Sequence, residues 1–172
     1  MNVKKREKVI LITIFFILCF FLYACNNNNS IDKDPEIKAV MTIAKLADED
    51  FDKIGTSNVA KDDFRKISFL LNVNNCSNMT NRIISVPNLK EIMNNYDIER
   101  YWYGSGTYFE HPGEDAYYKY DIMFLSRGLA GDEEIKSVFA DNQIKITWTN
   151  ENDKEIENII FISDIIEFTE EN

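Results

Sequence analysis

Hydrophobic and polar positions divide the 172-residue chain into three regimes. Val9 to Ala24 is an unbroken apolar run of sixteen residues in which Thr13 is the only ordinary polar side chain. Asn26 to Asp34 is polar and carries no periodic apolar signal. From Pro35 onward the pattern becomes periodic. Ile37, Val40, Met41 and Ala44 fall at helical spacing behind Asp34-Pro35-Glu36, where an N-cap acid, a proline at the first helical position and an acid in the first turn predict a helix start. Gly55 is the predicted stop. The β-branched Val40, Thr42 and Ile43 leave an edge strand as the alternative for residues 35–54.

The period then shortens to two. Ile67, Phe69, Leu71 and Val73 alternate with Ser68, Asn72 and Asn74, the mark of a half-buried strand. Asn74-Asn75 opens a turn, Arg82–Val86 is a short strand ended by Pro87, and Asn88–Tyr96 predicts a short helix. Two longer strands are predicted at Arg100–Phe109 and Ala116–Ser126, joined through the turn-rich Glu110-His111-Pro112-Gly113-Glu114. Asp132–Phe139 predicts another short helix, with Ile135, Val138 and Phe139 inward. Ile144, Ile146 and Trp148 should face the core with Lys145, Thr147 and Thr149 outside, and Ile156–Ser163 returns beyond the polar turn Asn150–Lys154 as a β-hairpin.

The first regime is a targeting signal. Lys4, Lys5, Arg6 and Lys8 precede the apolar run, and sixteen residues are too few for a helical span, which needs roughly 20. The run ends in Leu22-Tyr23-Ala24-Cys25, which resembles the lipobox of bacterial lipoproteins: an aliphatic residue, a small one, Gly or Ala, then Cys. Three of the four positions match, Tyr23 being the departure. The resemblance implies a signal peptide at 1–24, a diacylglyceryl group on the Cys25 thiol, and cleavage before Cys25 by signal peptidase II. It thereby implies a protein held on the extracytoplasmic face of the cell membrane. Residues 25–34 would form a flexible tether and 35–172 a single globular domain. The Asn-, Ile- and Lys-rich style resembles that of low-GC Gram-positive proteins.

Charge narrows the partners. Losing residues 1–24 removes four basic side chains and one acidic one, leaving 15 of the 19 Lys and Arg and 28 of the 29 Asp and Glu, a formal charge of −13. Such a surface repels nucleic-acid phosphates and anionic headgroups, so no nucleic-acid partner is expected. With Cys19 removed and Cys25 acylated, Cys76 is the one remaining thiol, which rules out an intramolecular disulfide.

Individual motifs carry little chemistry. Cys76 and His111 are the only thiol–imidazole pair, but nothing around Cys76 resembles a nucleophile turn, and His111 sits in a hairpin loop. Asp48, Asp50 and Asp52 have the opening spacing of a calcium loop, yet Lys53 and Val59 stand where the loop needs Gly and Glu, so a solvated acidic helix end is expected. Gly104-Ser105-Gly106 lacks the third glycine and following helix of a dinucleotide site and predicts a bulge or bend. Asn78-Met79-Thr80 matches a glycosylation sequon that a bacterial lipoprotein rarely has occasion to use. No catalytic residue, metal site or cofactor is expected.

One feature rises above background. Tyr96, Tyr101, Trp102, Tyr103, Tyr108, Phe109, Tyr117, Tyr118 and Tyr120 fall within 25 residues, and on alternating strands they cannot all face inward. Tyr101, Tyr103 and Tyr117 are expected outside, as contact residues for a protein or cell-wall partner, with Trp102 and Tyr118 inside. Period-two strands and short turns predict a mainly β fold, an antiparallel β-sandwich preceded by the N-terminal helix; α+β with one antiparallel sheet is the alternative. Between Phe64 and Ile162 the pattern is similar to the immunoglobulin-like modules of bacterial surface lipoproteins. The functional expectation is a non-enzymatic binding or structural module of the envelope, with an immunity or inhibitor lipoprotein and an envelope hydrolase as alternatives.

Overall fold

The computed structural model describes residues 34–56, 58–96, 98–129 and 131–169. The expected signal peptide, Cys25 and the tether up to residue 33 lie outside these residues. The described chain is mainly β. In order it forms β1 (Glu36–Lys45), α1 (Asp48–Ile54), β2 (Phe64–Asn74), β3 (Thr80–Ser85), α2 (Leu89–Asn95), β4 (Tyr101–Phe109), β5 (Ala116–Leu125), α3 (Asp132–Ser137), β6 (Gln143–Thr149), β7 (Glu155–Phe161) and β8 (Ile166–Thr169). Short 3₁₀ turns lie at Lys61–Asp63, Cys76–Asn78 and Ile162–Ile165.

The strands form two sheets, β4-β5-β2-β1-β8 and β3-β6-β7. All pairings are antiparallel except β1 with β8, which is parallel. Both sheets feed one apolar core. Met41 and Ile43 of β1, Ile67, Phe69, Leu71 and Val73 of β2, and Ile122 and Phe124 of β5 are buried with Ile144 and Ile146 of β6. Leu89 and Met93 of α2 and Ile135 of α3 join them, so the apolar stripes of the short helices close the same interior.

The expected helix over 35–54 is not what forms. Residues 36–45 are a strand, and it is not an edge strand, because β2 and β8 flank it. The apolar residues that reach the core are Ile37, Ala39, Met41 and Ile43, spaced by two, not the helically spaced set. Ten residues rich in β-branched side chains, with strands available on both sides, make the sheet the better burial. Pro35 lies just before the strand, where its missing N–H costs no ladder bond. Gly55 does stop a helix, in the left-handed conformation (φ 67°), but the helix is the seven-residue α1.

A second, smaller apolar cluster covers the opposite face of the larger sheet. Phe64, Leu46 and Met123 are buried there beneath Phe51 and Ile54 of α1. The helix is fastened by ion pairs: Asp50 accepts from Lys53 at 2.9 Å and Lys66 at 2.8 Å, and Asp48 accepts from Lys61 at 2.7 Å. Asp50 is therefore buried and not the solvated acid expected of it. Trp148 also departs from expectation. It packs on the core but remains partly exposed, because it sits one residue from the end of β6, where the hairpin turn begins.

Candidate functional site

β4 is an edge of the larger sheet, bonded on one side to β5. Its register slips by one residue between Tyr101, opposite Phe124, and Tyr103, opposite Met123. The extra residue is Trp102, so this is a β-bulge, and it reverses which side chains face inward on its N-terminal side. Tyr101 shares the core-facing side with the buried Phe124 and is partly buried, against the expectation of exposure. Trp102, expected inside, lies 39% exposed and meets Phe64 edge-on at 5.4 Å between ring centroids. Tyr103 and Tyr117 are exposed, at 54% and 43%, and Tyr118 is buried.

The glycines answer a different need from the expected bend. A Cβ on Gly106 would stand 2.2 Å from Cδ1 of Tyr120, and one on Gly104 would stand 3.1 Å from the Tyr101 hydroxyl. The strand stays regular there because the rings of its neighbours occupy the space that side chains would take. Beside these glycines opens a cavity of about 350 Å³, walled by Tyr101, Tyr120 and Ile122 and by the Val86–Lys90 segment that leads into α2. Lys90 places its ammonium 4.8 Å from the Tyr101 ring centroid at the rim, a cation–π contact. Burial pushes the Tyr120 hydroxyl above its ordinary pKa, so it stays a neutral donor.

Outward, β4 is aromatic and uncharged, while β5 sets Lys119 and Asp121 on the face that carries Tyr103 and Tyr117. No Lys, Arg, Asp or Glu occurs from Tyr101 to Phe109. Tyr108 is exposed and stacks on Tyr118 with 5.6 Å between centroids, and Phe109 stacks on Tyr117 at 6.1 Å. The connection that closes the hairpin is held from the other sheet. Arg82 of β3 donates to the carbonyls of Glu114 (2.8 Å) and His111 (2.9 Å), and its Nε lies 3.9 Å from the Glu110 carboxylate. The Tyr118 hydroxyl donates to the same carboxylate. Burial and that acceptor raise the Tyr118 pKa well above the usual phenol value. This Arg82–Glu110–Tyr118 network has no signature in the sequence, where its members are scattered over 37 positions from 82 to 118.

The other motifs have separate fates. The Cys76 thiol is buried and donates to the Val73 carbonyl at 3.2 Å, and burial pushes its pKa up, the opposite of an activated nucleophile. The His111 ring packs edge-on against Phe109 at 4.7 Å. Each member of the thiol–imidazole pair thus has a structural partner of its own. Asn78 of the sequon donates its side-chain amide to Glu151. Among the described residues no group of three or more His, Cys, Asp or Glu is placed to hold a metal ion.

Compared with protein families, with curated proteins and with solved structures, the chain shows no significant match. The reading of its function therefore rests on the residues themselves. The aromatic hairpin is the surface whose chemistry differs most from the acidic remainder, and rigid, amphipathic tyrosine and tryptophan side chains lose little rotamer freedom on contact.

Proposed function

We propose that this chain is a lipid-anchored envelope protein, tethered through Cys25 to the extracytoplasmic face of the cell membrane, and that its domain is a non-enzymatic binding module. The observation that carries the reading is the cluster of exposed aromatic side chains on the β4–β5 hairpin, Tyr103 and Tyr117 on its outer face among them, on a strongly acidic domain. Exposed tyrosines grouped this way are the composition of contact surfaces. The partner class is a protein or cell-wall component.

The domain itself is an immunoglobulin-like sandwich on this reading. Numbered along the chain, a constant-type immunoglobulin domain has sheets of order 4-5-2-1 and 3-6-7. The orders β4-β5-β2-β1 and β3-β6-β7 support the assignment, with β8 as an addition beside β1. The inter-sheet disulfide of antibody domains has no counterpart, since Cys76 is free.

Two experiments test the two halves. In cells expressing the full chain, Cys25→Ser should abolish acyl labelling and leave an uncleaved precursor; processing and anchoring like wild type would refute the lipid anchor. Alanine at Tyr103 or Tyr117 should weaken capture of a bound partner by about 2 kcal/mol or more at unchanged melting temperature. Weaker binding only in step with lost stability would assign these tyrosines to the fold alone.

A further inference from the structure

We propose that the cavity between β4 and the β3–α2 segment binds a small aromatic carboxylic acid, its ring against Tyr120 and its carboxylate at Lys90. The site is separate from the contact surface of the binding module and does not rest on it. Beyond the bulge, Gly104 and Gly106 sit opposite Ile122 and Tyr120 on the core-facing side, whereas Tyr103 and Tyr117 lie on the other. Two successive inward positions of β4 thus carry no side chain. Glycine inside a strand often marks a place where a ligand comes close to the backbone. β3 ends at Ser85 and the chain turns away into α2, so the Val86–Lys90 segment, not a strand, forms the opposite wall. The gap between them is the cavity of about 350 Å³, at the small end of the range for ligand sites. At the ~30 Å³ that a water takes up in the liquid, it holds roughly a dozen heavy atoms, the size of one ring system with a short substituent.

The walls decide the chemistry. Val86, Pro87, Leu89 and Ile122 are aliphatic, Tyr101 and Tyr120 aromatic. Most polar groups beside them are already committed. The Tyr101 hydroxyl donates to the Gly104 carbonyl at 3.4 Å, and the Asn88 side-chain oxygen accepts from the Lys90 backbone N–H at 3.1 Å. Ser105 faces the other way, opposite Asp121. Two groups remain available. The Tyr120 hydroxyl, a neutral donor, has no hydrogen-bond partner among the described residues. Lys90 is exposed at the mouth, held over the Tyr101 ring, and no carboxylate of the described residues pairs with it. A sugar ring would bring several hydroxyls to walls with few free partners and leave the rest desolvated and unpaired, at a cost for each. A flat apolar ring leaves none, and aromatic rings gain from contact with tyrosine. The charge follows from Lys90. Its ammonium repels a cation and offers a carboxylate a charge-assisted bond, on a chain of formal charge −10 that otherwise repels anions.

Indole-3-acetate is the probe, with indole-3-acetamide as its uncharged match and glucuronate as a sugar acid. Equilibrium dialysis of the full chain in mild detergent, with detergent alone as the blank, reads the affinities. Indole-3-acetate should bind saturably and about tenfold or more tighter than either of the others. Lys90→Gln should weaken the acid by about tenfold and leave the amide as it was, erasing the preference. Tyr120→Phe keeps the ring and removes a hydroxyl that holds nothing in the fold. It should weaken acid and amide alike by about fivefold without lowering the melting temperature. Lys145→Gln, on the other sheet, should change neither affinity. No saturable binding of the acid, undiminished binding of it by Lys90→Gln or by Tyr120→Phe, or glucuronate bound as tightly, overturns the assignment. So does an equal loss from Lys145→Gln, which would trace the attraction to overall charge and not to the cavity.

Discussion

The β6–β7 and β4–β5 hairpins are built alike, two antiparallel strands closed by a polar connection, and they meet solvent in opposite ways. β6 alternates buried Ile144 and Ile146 with the exposed Lys145 and the half-buried Thr147, and Lys145 pairs across the hairpin with Glu157 at 2.5 Å. Its turn is closed mainly from within, Asn150 Oδ1 accepting from the backbone N–H groups of Asn152 (3.0 Å) and Lys154 (3.1 Å), with one side-chain bond from outside, Asn78 to Glu151. The β4–β5 hairpin carries its aromatic rings outward as well as inward, is bent by a bulge at its start, and has its connection pinned by Arg82 from the other sheet. The contrast is between a hairpin whose outer edge is guarded by charge and one whose outer strand carries no charge and a bulge instead; on the proposed reading the second is the one that meets a partner.

The largest effect should come from the hairpin that builds the core. Ile146 is fully buried, so Ile146→Ala should cost about 2–5 kcal/mol in urea unfolding. A loss below about 1 kcal/mol would mean that β6 does not anchor the interior.

Next comes the packing of the aromatic hairpin. Gly106→Ala drives a methyl into the Tyr120 ring and should cost about 1–3 kcal/mol. Combining it with Tyr120→Ala should cost less than the sum of the two single changes. Additive losses would mean that the glycine answers to something other than that ring.

The smallest effect lies in α1, which covers the face between the strands. Lys66 and then Lys53 hold the Asp50 carboxyl below the usual carboxylate range. As pH falls the unfolded chain takes up this proton first, so the stability from Asp50 is present above about pH 4 and drains away as pH drops through the lowered folded value. Urea midpoints of wild type and Asp50→Asn should differ at neutral pH and converge below about pH 4. A gap constant with pH would remove the ion pairs from the account.

The same contrast governs what could be read from sequence. The β6–β7 hairpin and β2 were legible because burial there follows strict alternation and the turns carry their own asparagines. Residues 35–54 read as a helix, with an edge strand as the alternative, because Asp34-Pro35-Glu36 is a sound helix start locally, and the neighbours that make β1 an interior strand, β2 and β8, are distant in sequence. β8 itself is only four residues long, too short for a periodic signal. At the candidate site the aromatic cluster was visible, and Tyr103 and Tyr117 lie exposed. Tyr101 and Trp102 exchanged places because one bulged residue inverts a period of two, and no local residue marks the bulge. Arg82 was out of reach for a related reason: its partners in the 110–114 connection become neighbours only once both sheets have formed.

The central claim is that contact runs through the aromatic hairpin and not through the charge-guarded one. A photoactivatable phenylalanine analogue placed at Tyr103, and separately at Thr147, in the full chain expressed in cells tests it directly. Discrete cross-linked adducts are expected from position 103 and none from position 147. Adducts from 147 with none from 103 would contradict it.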